Sequence, residues 1–78
     1  MKDKKENLTL RELREINQKS REEIARILGV TVSAVTNYEI GIRRISLEQV
    51  LILATNYNMP AEEIILAQLE SIAIRNPD

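Results

Sequence analysis

The stretch from Arg21 to Gly41, REEIARILGVTVSAVTNYEIG, has the pattern of two short helices joined by a tight turn. Gly29 can adopt the positive φ that ends the first helix, and Thr31 offers a side-chain oxygen that can cap the second. Ala25 is small at the place where the two helices would cross. The apolar positions that we expect to face inward are Ile24, Leu28, Val30, Val35 and Tyr38. A helix pair joined in this way is a helix-turn-helix, whose second helix can enter the major groove of DNA.

Local signals on both sides of this pair predict three further helices. A Ser or Thr followed three residues later by Glu or Gln is a capping box, which begins a helix. Capping boxes are formed by Thr9 with Glu12, Ser20 with Glu23, and Ser46 with Gln49. The two glycines and Asn58 are signals for helix ends, and Pro60 is a signal for a helix start. Together with the capping boxes, these signals predict helices over residues 10–17, from Ser20 to Gly29, from Thr31 to near Gly41, over 47–57 and over 61–74. No strand pattern is present, so the chain is predicted to be all-α.

The last two predicted helices differ in how clearly their apolar residues select one face. Helical spacing in the fourth helix predicts one core-facing stripe, formed by Leu47, Val50, Leu51, Ala54 and Tyr57. The fifth has more apolar surface than one face needs, and such a helix requires a second partner. We therefore expect a homodimer interface formed by Ile65, Leu66, Leu69, Ile72 and Ala73. The alternative is that the end of this helix frays and its apolar groups stay exposed.

The composition excludes several classes of function. The 78 residues suffice for one small domain, and they include no Cys, His, Phe or Trp, so the core must be aliphatic. A disulfide framework and a Cys/His zinc site are excluded, and the most common general base is missing. There is no glycine-rich phosphate loop, and the pairs Glu22/Glu23 and Glu62/Glu63 are explained by the helix dipole at first turns. We therefore expect that the protein is not an enzyme and that it binds no cofactor, no metal and no small-molecule ligand.

Charge is distributed unevenly along the chain. The formal net charge is −1, but residues 1–44 carry ten basic against seven acidic side chains, and residues 45–78 carry one against five. This asymmetry is compatible with a DNA-facing end and a partner-facing end. The polar start lacks the apolar segment of a signal peptide, and no apolar run is long enough to span a membrane. We expect a soluble, cytoplasmic protein without a membrane partner.

The segment from Leu8 to Leu66 resembles the XRE, or phage Cro/repressor, helix-turn-helix family. The resemblance rests on Ala25, on the run Gly29-Val30-Thr31, on Tyr38-Glu39-Ile40-Gly41 and on Ile45-Ser46-Leu47. It implies a five-helix lambda-repressor-like fold and a transcriptional regulator, usually a homodimeric repressor that binds a palindromic operator in double-stranded DNA. The expected organisation is a charged tail over residues 1–7, the DNA-binding domain over 8–66, and a C-terminal extension of helix five over 67–78 that serves dimerisation.

The resemblance also assigns candidate DNA contacts on and around the third helix. The side chains that would face base edges are Val32, Ser33, Thr36 and Asn37. Those that would contact phosphates are Ser20 and Arg21 before that helix, and Arg43 and Arg44 after it. Arg14 and Glu39 occupy positions that pair in some family members and would tie helix one to helix three.

Several residues depart from the family pattern. Arg21 stands where Gln is common, Val32 stands where polar or basic residues are common, and Gln18-Lys19 replaces a common Gly and an apolar residue. Arg21 keeps the phosphate role, Val32 lowers the hydrogen-bonding capacity of the face, and the first connection is expected to differ in shape from that of the family. Two alternatives stay open: the polar side of helix three is an ordinary solvent face, or the chain is a degenerate helix-turn-helix that binds protein through helix five.

Overall fold

The computed structural model describes residues 7–75, so the predicted tail over 1–7 lies outside the described residues except for Asn7, as do residues 76–78. Within 7–75 there are five helices and no strand: α1 (Leu10–Ile16), α2 (Arg21–Leu28), α3 (Val32–Glu39), α4 (Leu47–Tyr57) and α5 (Ala61–Arg75). The predicted all-α, five-helix architecture is confirmed.

The helix ends follow the local signals in the sequence. In all three capping boxes the cap hydroxyl accepts from the backbone N–H three residues on, and that residue's side chain accepts from the cap N–H. Gly29 ends α2 in the left-handed conformation with φ 72°, and Asn58 ends α4 likewise with φ 57°. Helix α3 ends at Glu39, and Gly41 follows with φ 85°. Short-range chemistry therefore accounts for most helix boundaries.

The core is aliphatic except for two buried tyrosines, Tyr38 and Tyr57. It is built from one face of each helix, with α2 packed on α3 and α4 packed on α5. The buried apolar residues are Leu10, Leu13, Ile24, Ala25, Ala34, Val35, Tyr38, Ile45, Val50, Leu53, Ala54, Tyr57, Ile64 and Ala67. The inward positions predicted for Ile24, Val35 and Tyr38 are confirmed, while Leu28 and Val30 pack against the core and are partly buried.

The prediction that Leu47 and Leu51 face the core is wrong. Leu47 is 70% exposed and Leu51 is 52% exposed, whereas Leu53 is buried. The buried stripe of α4 is formed by Val50, Leu53, Ala54 and Tyr57. Since all five residues from 50 to 54 are apolar, helical spacing alone cannot choose among the faces of this helix. The choice depends on where α2 and α5 lie.

Helix α5 packs on the rest of the domain along its whole length. Ile64 and Ala67 are fully buried, and Ser71 in the second half of the helix is also buried. The Ser71 hydroxyl donates to the carbonyl of Ala67 at 3.0 Å and accepts from the backbone N–H of Leu10 at 3.0 Å. Because Leu10 is the first residue of α1, this bond joins the start of α1 to the second half of α5. Residues 67–75 therefore belong to the same folded unit as α1.

Candidate DNA-binding site

The turn between α2 and α3 orients α3 by backbone bonds. The N–H of Val30 donates to the carbonyl of Ala25 at 2.9 Å, which closes the turn around left-handed Gly29. The Thr31 hydroxyl accepts from the N–H of Ala34 at 3.1 Å and begins α3. These bonds turn one side of α3 inward, so the opposite side faces outward.

The four predicted base-contacting residues lie on that outward side. Val32 and Ser33 in the first turn of α3 are exposed, and Thr36 and Asn37 one turn later are half-buried. A face of this kind can donate and accept hydrogen bonds through its amide and hydroxyls, and it can pack a methyl group on thymine. The structure brings these side chains together on one side of a helix. Their contact with bases stays a prediction.

A charged cluster lies at the other end of α3, centred on Glu39. Arg14 donates to the Glu39 carboxylate through Nε at 2.5 Å and through Nη2 at 3.3 Å, and it donates through Nη1 to the carbonyl of Lys19 at 3.0 Å. The side chains of Glu39 and Arg14 are only 5% and 10% exposed. The hydrogen bonds to Glu39 raise the pKa of Arg14, so its guanidinium stays charged despite burial. The Arg14–Glu39 pair implied by the family resemblance is present and ties α1 to α3.

Arg21 joins the same cluster, a contact that sequence analysis missed. Its Nε donates to Oε1 of Glu39 at 3.1 Å, while its side chain remains 39% exposed. Eighteen residues separate the two in sequence, so no local pattern indicates the pair. The sequence shows only that Arg21 is a cation where the family commonly has glutamine; the crossing of the helices brings it to Glu39.

The beginning of α2 has the features of a phosphate site, although the negative charge of Glu23 opposes phosphate binding there. Arg21 and Glu22 occupy its first two positions, where backbone N–H groups have no partner within the helix. The Ser20 hydroxyl accepts from the N–H of Glu23 at 3.1 Å, which leaves its own proton available to a phosphate oxygen. The backbone N–H of Ser20 holds the pKa of Glu23 below its usual value, so this carboxylate stays negative near the site.

The loop after α3 carries the second cationic site. Arg43 and Arg44 are both exposed, and the guanidinium carbon of Arg43 lies 5.6 Å from the centroid of the Tyr38 ring. The N–H groups of Ile42 and Arg43 both donate to the carbonyl of Asn37, at 3.0 and 3.2 Å. The loop that carries the cations is therefore bonded directly to α3.

The first connection keeps a helix-turn shape despite its departure from the family pattern. Gln18 adopts the left-handed conformation with φ 59°, which glycine adopts most easily. Its N–H donates to the carbonyl of Glu15 at 3.0 Å, and the N–H of Lys19 donates to the carbonyl of Arg14 at 3.1 Å. Gln18 therefore closes the turn in a conformation that is strained for a residue with a Cβ.

Comparison with known protein families decides what this arrangement is. A family model described as helix-turn-helix matches residues 10–64, which include α1 to α4 and the first turn of α5. The chain belongs to this family. It is an XRE-type helix-turn-helix domain, and the family consists of DNA-binding transcription regulators. No curated protein and no solved structure matches the chain.

Two further findings concern other kinds of site. None of the helices between residues 7 and 75 is long and apolar enough to cross a membrane. In the same part of the chain, no group of three or more acidic residues is placed to hold a metal ion. The expected cytoplasmic location and the expected lack of a small-molecule ligand stay predictions.

Proposed function

We propose that this XRE-type domain is a sequence-specific transcriptional repressor that binds a palindromic operator as a homodimer, with α3 in the major groove. The observation that carries the proposal is the position of α3. In the chain, Arg21 precedes this helix and Arg43 with Arg44 follows it, and Glu39 and Tyr38 at the C-terminal end of α3 hold Arg21 and Arg43 beside it. Phosphates line the edges of the major groove, so cations held beside a helix in that groove can contact the DNA backbone.

Sequence preference would come from the outward side of α3. Asn37 can make a bidentate pair with adenine, Ser33 and Thr36 can bond to several bases, and Val32 can pack on a thymine methyl. One amide and two hydroxyls form a small recognition surface. A second copy of the domain on the same duplex would double the number of base pairs that are read.

Affinity would come from the two cationic sites. Arg43 and Arg44 would hold the backbone on one side of α3, and Ser20 with Arg21 would hold it on the other. Arg21 uses only Nε for Glu39 among the bonds within residues 7–75, so its two Nη groups can donate to a phosphate while the ion pair persists. A phosphate bound to Arg21 would continue the alternation of charge that runs from Arg14 through Glu39 to Arg21.

The proposed dimer interface lies on the side of α5 opposite the core. Ile65, Leu69 and Ala73 are exposed there, and Leu66 and Ile72 are half-buried beside them. An apolar stripe on a helix whose other side is already packed gains stability by covering a second copy of itself. A domain of this size has a small core, so association would also stabilise the fold.

Binding measured as a function of salt tests the DNA-binding part of the proposal. A fluorescently labelled duplex carrying palindromes from beside the protein's own gene should bind, and log K should fall linearly with log salt by about 0.9 per phosphate contact.

The double variant Arg43→Ala, Arg44→Ala should weaken binding to every sequence and reduce this slope. Asn37→Ala should leave the slope unchanged and relax preference at one base position. Binding without any salt dependence, or no binding, would refute the proposal.

A matched pair of substitutions tests the dimer. Leu69→Gln on α5 and Leu51→Gln on α4 replace side chains that are 54% and 52% exposed, so each removes a similar apolar surface. Light scattering should show a dimer for the wild type and for Leu51→Gln, and a monomer for Leu69→Gln. The opposite pattern would move the interface to α4.

The alternative, a protein-interaction module, is supported by the exposed leucines of α4. Leu47 and Leu51 give the domain a second apolar surface in addition to that of α5. A degenerate family member that uses such surfaces would show no salt-dependent affinity for DNA. The titration described above therefore separates the two functions.

A further inference from the structure

The second half of α5 lies beyond the family match, and its contacts point to a role in DNA binding. The match ends at residue 64, and α5 continues to Arg75. We propose that residues 68–75 of α5 position the loop from Gly41 to Ile45, so that Arg43 and Arg44 face the phosphates in a fixed arrangement. This inference rests on the proposed DNA-binding function and assigns a role to a segment that the family match leaves out.

Gln68 holds the C-terminal end of the loop. Its side-chain Oε1 accepts from the backbone N–H of Ile45 at 2.6 Å. Ile45 is buried and this bond is partly buried, so the N–H would lose its protein partner without the glutamine. Gln68 is therefore bound to the place where the loop joins the core.

Gly41 allows the N-terminal end of the loop to pack closely against α5. A Cβ on Gly41 would lie 2.9 Å from the carbonyl oxygen of Ser71 and 3.2 Å from both Cα of Ile72 and Cβ of Arg75. Its φ of 85° also disfavours any residue with a side chain. The loop backbone thus lies directly against the last turns of α5. Only glycine allows this approach.

The interior of the loop is bonded to α3. The carbonyl of Asn37 accepts from two loop N–H groups, and Arg43 stacks on Tyr38. The five-residue loop is therefore held at both of its ends by α5 and in its middle by α3. A cation held in its bound position loses less conformational freedom on binding than a mobile one, and the difference is worth about 3- to 10-fold in affinity for each long side chain.

The competing interpretation is that α5 stabilises the fold and nothing more. Ile64, Ala67 and Ser71 already serve that purpose, since they are buried in the core or bonded to α1. Gln68 is partly exposed and bonds to the loop. A test must therefore ask whether the effect of Gln68 on DNA binding depends on the loop cations.

A double-mutant cycle on the full chain answers this question. Gln68→Ala should weaken binding of the palindromic duplex by about 3- to 10-fold when Arg43 and Arg44 are present. In the background Arg43→Ala, Arg44→Ala the same change should have almost no effect, because no cations remain to be positioned. Asn56→Ala is the matched control. It removes a side-chain amide from an exposed position on α4 and should change affinity in neither background.

Two observations make the outcome decisive. Circular dichroism should show that each variant is folded at the temperature of the titration, and hydrogen exchange should show faster exchange of the Ile45 amide in Gln68→Ala. Gly41→Ala, which forces the loop away from α5, should show the same dependence on the two arginines. An equal loss from Gln68→Ala in both backgrounds would overturn the inference and leave the DNA-binding proposal intact. Absence of salt-dependent binding by the wild type would instead refute the proposed function itself.

Discussion

The helix-turn-helix over residues 21–41 and helix α5 are specified by different kinds of information. In the first, a capping box, a left-handed glycine, a second cap and a small residue at the crossing all indicate the same structure. In α5, apolar residues surround most of the helix, and nothing local selects the side that is buried. The comparison shows that a segment can be an unmistakable helix while its orientation is undecided.

The two regions also differ in how they are joined to the rest of the domain. The helix-turn-helix is tied to α1 by a nearly buried carboxylate that binds two arginines. Helix α5 is tied to α1 and to the loop by neutral groups, the Ser71 hydroxyl and the Gln68 amide, together with apolar packing. Removal of one partner should therefore be most costly in the charged cluster, where it leaves an uncompensated charge.

The largest expected effect is that of Glu39→Ala. It leaves the nearly buried Arg14 without its partner, so the free energy of unfolding should fall by about 3–5 kcal/mol, measured by urea denaturation. Arg11→Ala is the control, since it breaks an exposed pair with Glu15 and should cost no more than about 0.5 kcal/mol. Similar losses in the two variants would show that the cluster does not hold the helix-turn-helix.

The next effect tests which face of α5 belongs to the core. Ile64→Ala removes a fully buried side chain and should lower the free energy of unfolding by about 2–4 kcal/mol. Leu69→Ala, on the opposite side, should change it by less than about 0.5 kcal/mol at protein concentrations below those at which the chain associates. A reversed order would mean that α5 packs with its other face inward.

The smallest effect is a pH dependence that arises where α4 lies near the charged cluster. Burial, and secondarily the Glu39 carboxylate, raise the pKa of Tyr57 to about 12 from its usual 10.0. The unfolded chain therefore loses this proton first, and stability should decline as pH rises from 10 to 12, by on the order of 2 kcal/mol.

Tyr57→Phe should remove this part of the alkaline decline, as seen in chemical denaturation at a series of pH values. Tyr38→Phe, which removes the other phenol, should retain it. An identical decline in the wild type and in Tyr57→Phe would show that the Tyr57 phenol is not desolvated by the fold.

Much of the candidate site follows from the sequence, and its limits have a physical cause. The family resemblance assigns Val32 and Ser33 to the outward side of α3, and the helix-end signals place Arg43 and Arg44 in the loop that follows it; all four are exposed. The bond between Arg21 and Glu39 cannot be predicted from the sequence, because it joins residues on different helices and depends on how those helices cross. The same limit explains the error at Leu47 and Leu51, which lie on a helix with apolar residues on several sides.

The sequence by itself determined the five helices, their caps and the turn that begins α3, because these depend on bonds between residues at most a few positions apart. Only the tertiary structure decided which faces of α4 and α5 are buried, which arginines Glu39 binds, and which side chain holds the Ile45 N–H. Those outcomes depend on distances between helices that are far apart in the chain. Helical periodicity carries no information about such distances when most of a helix surface is apolar.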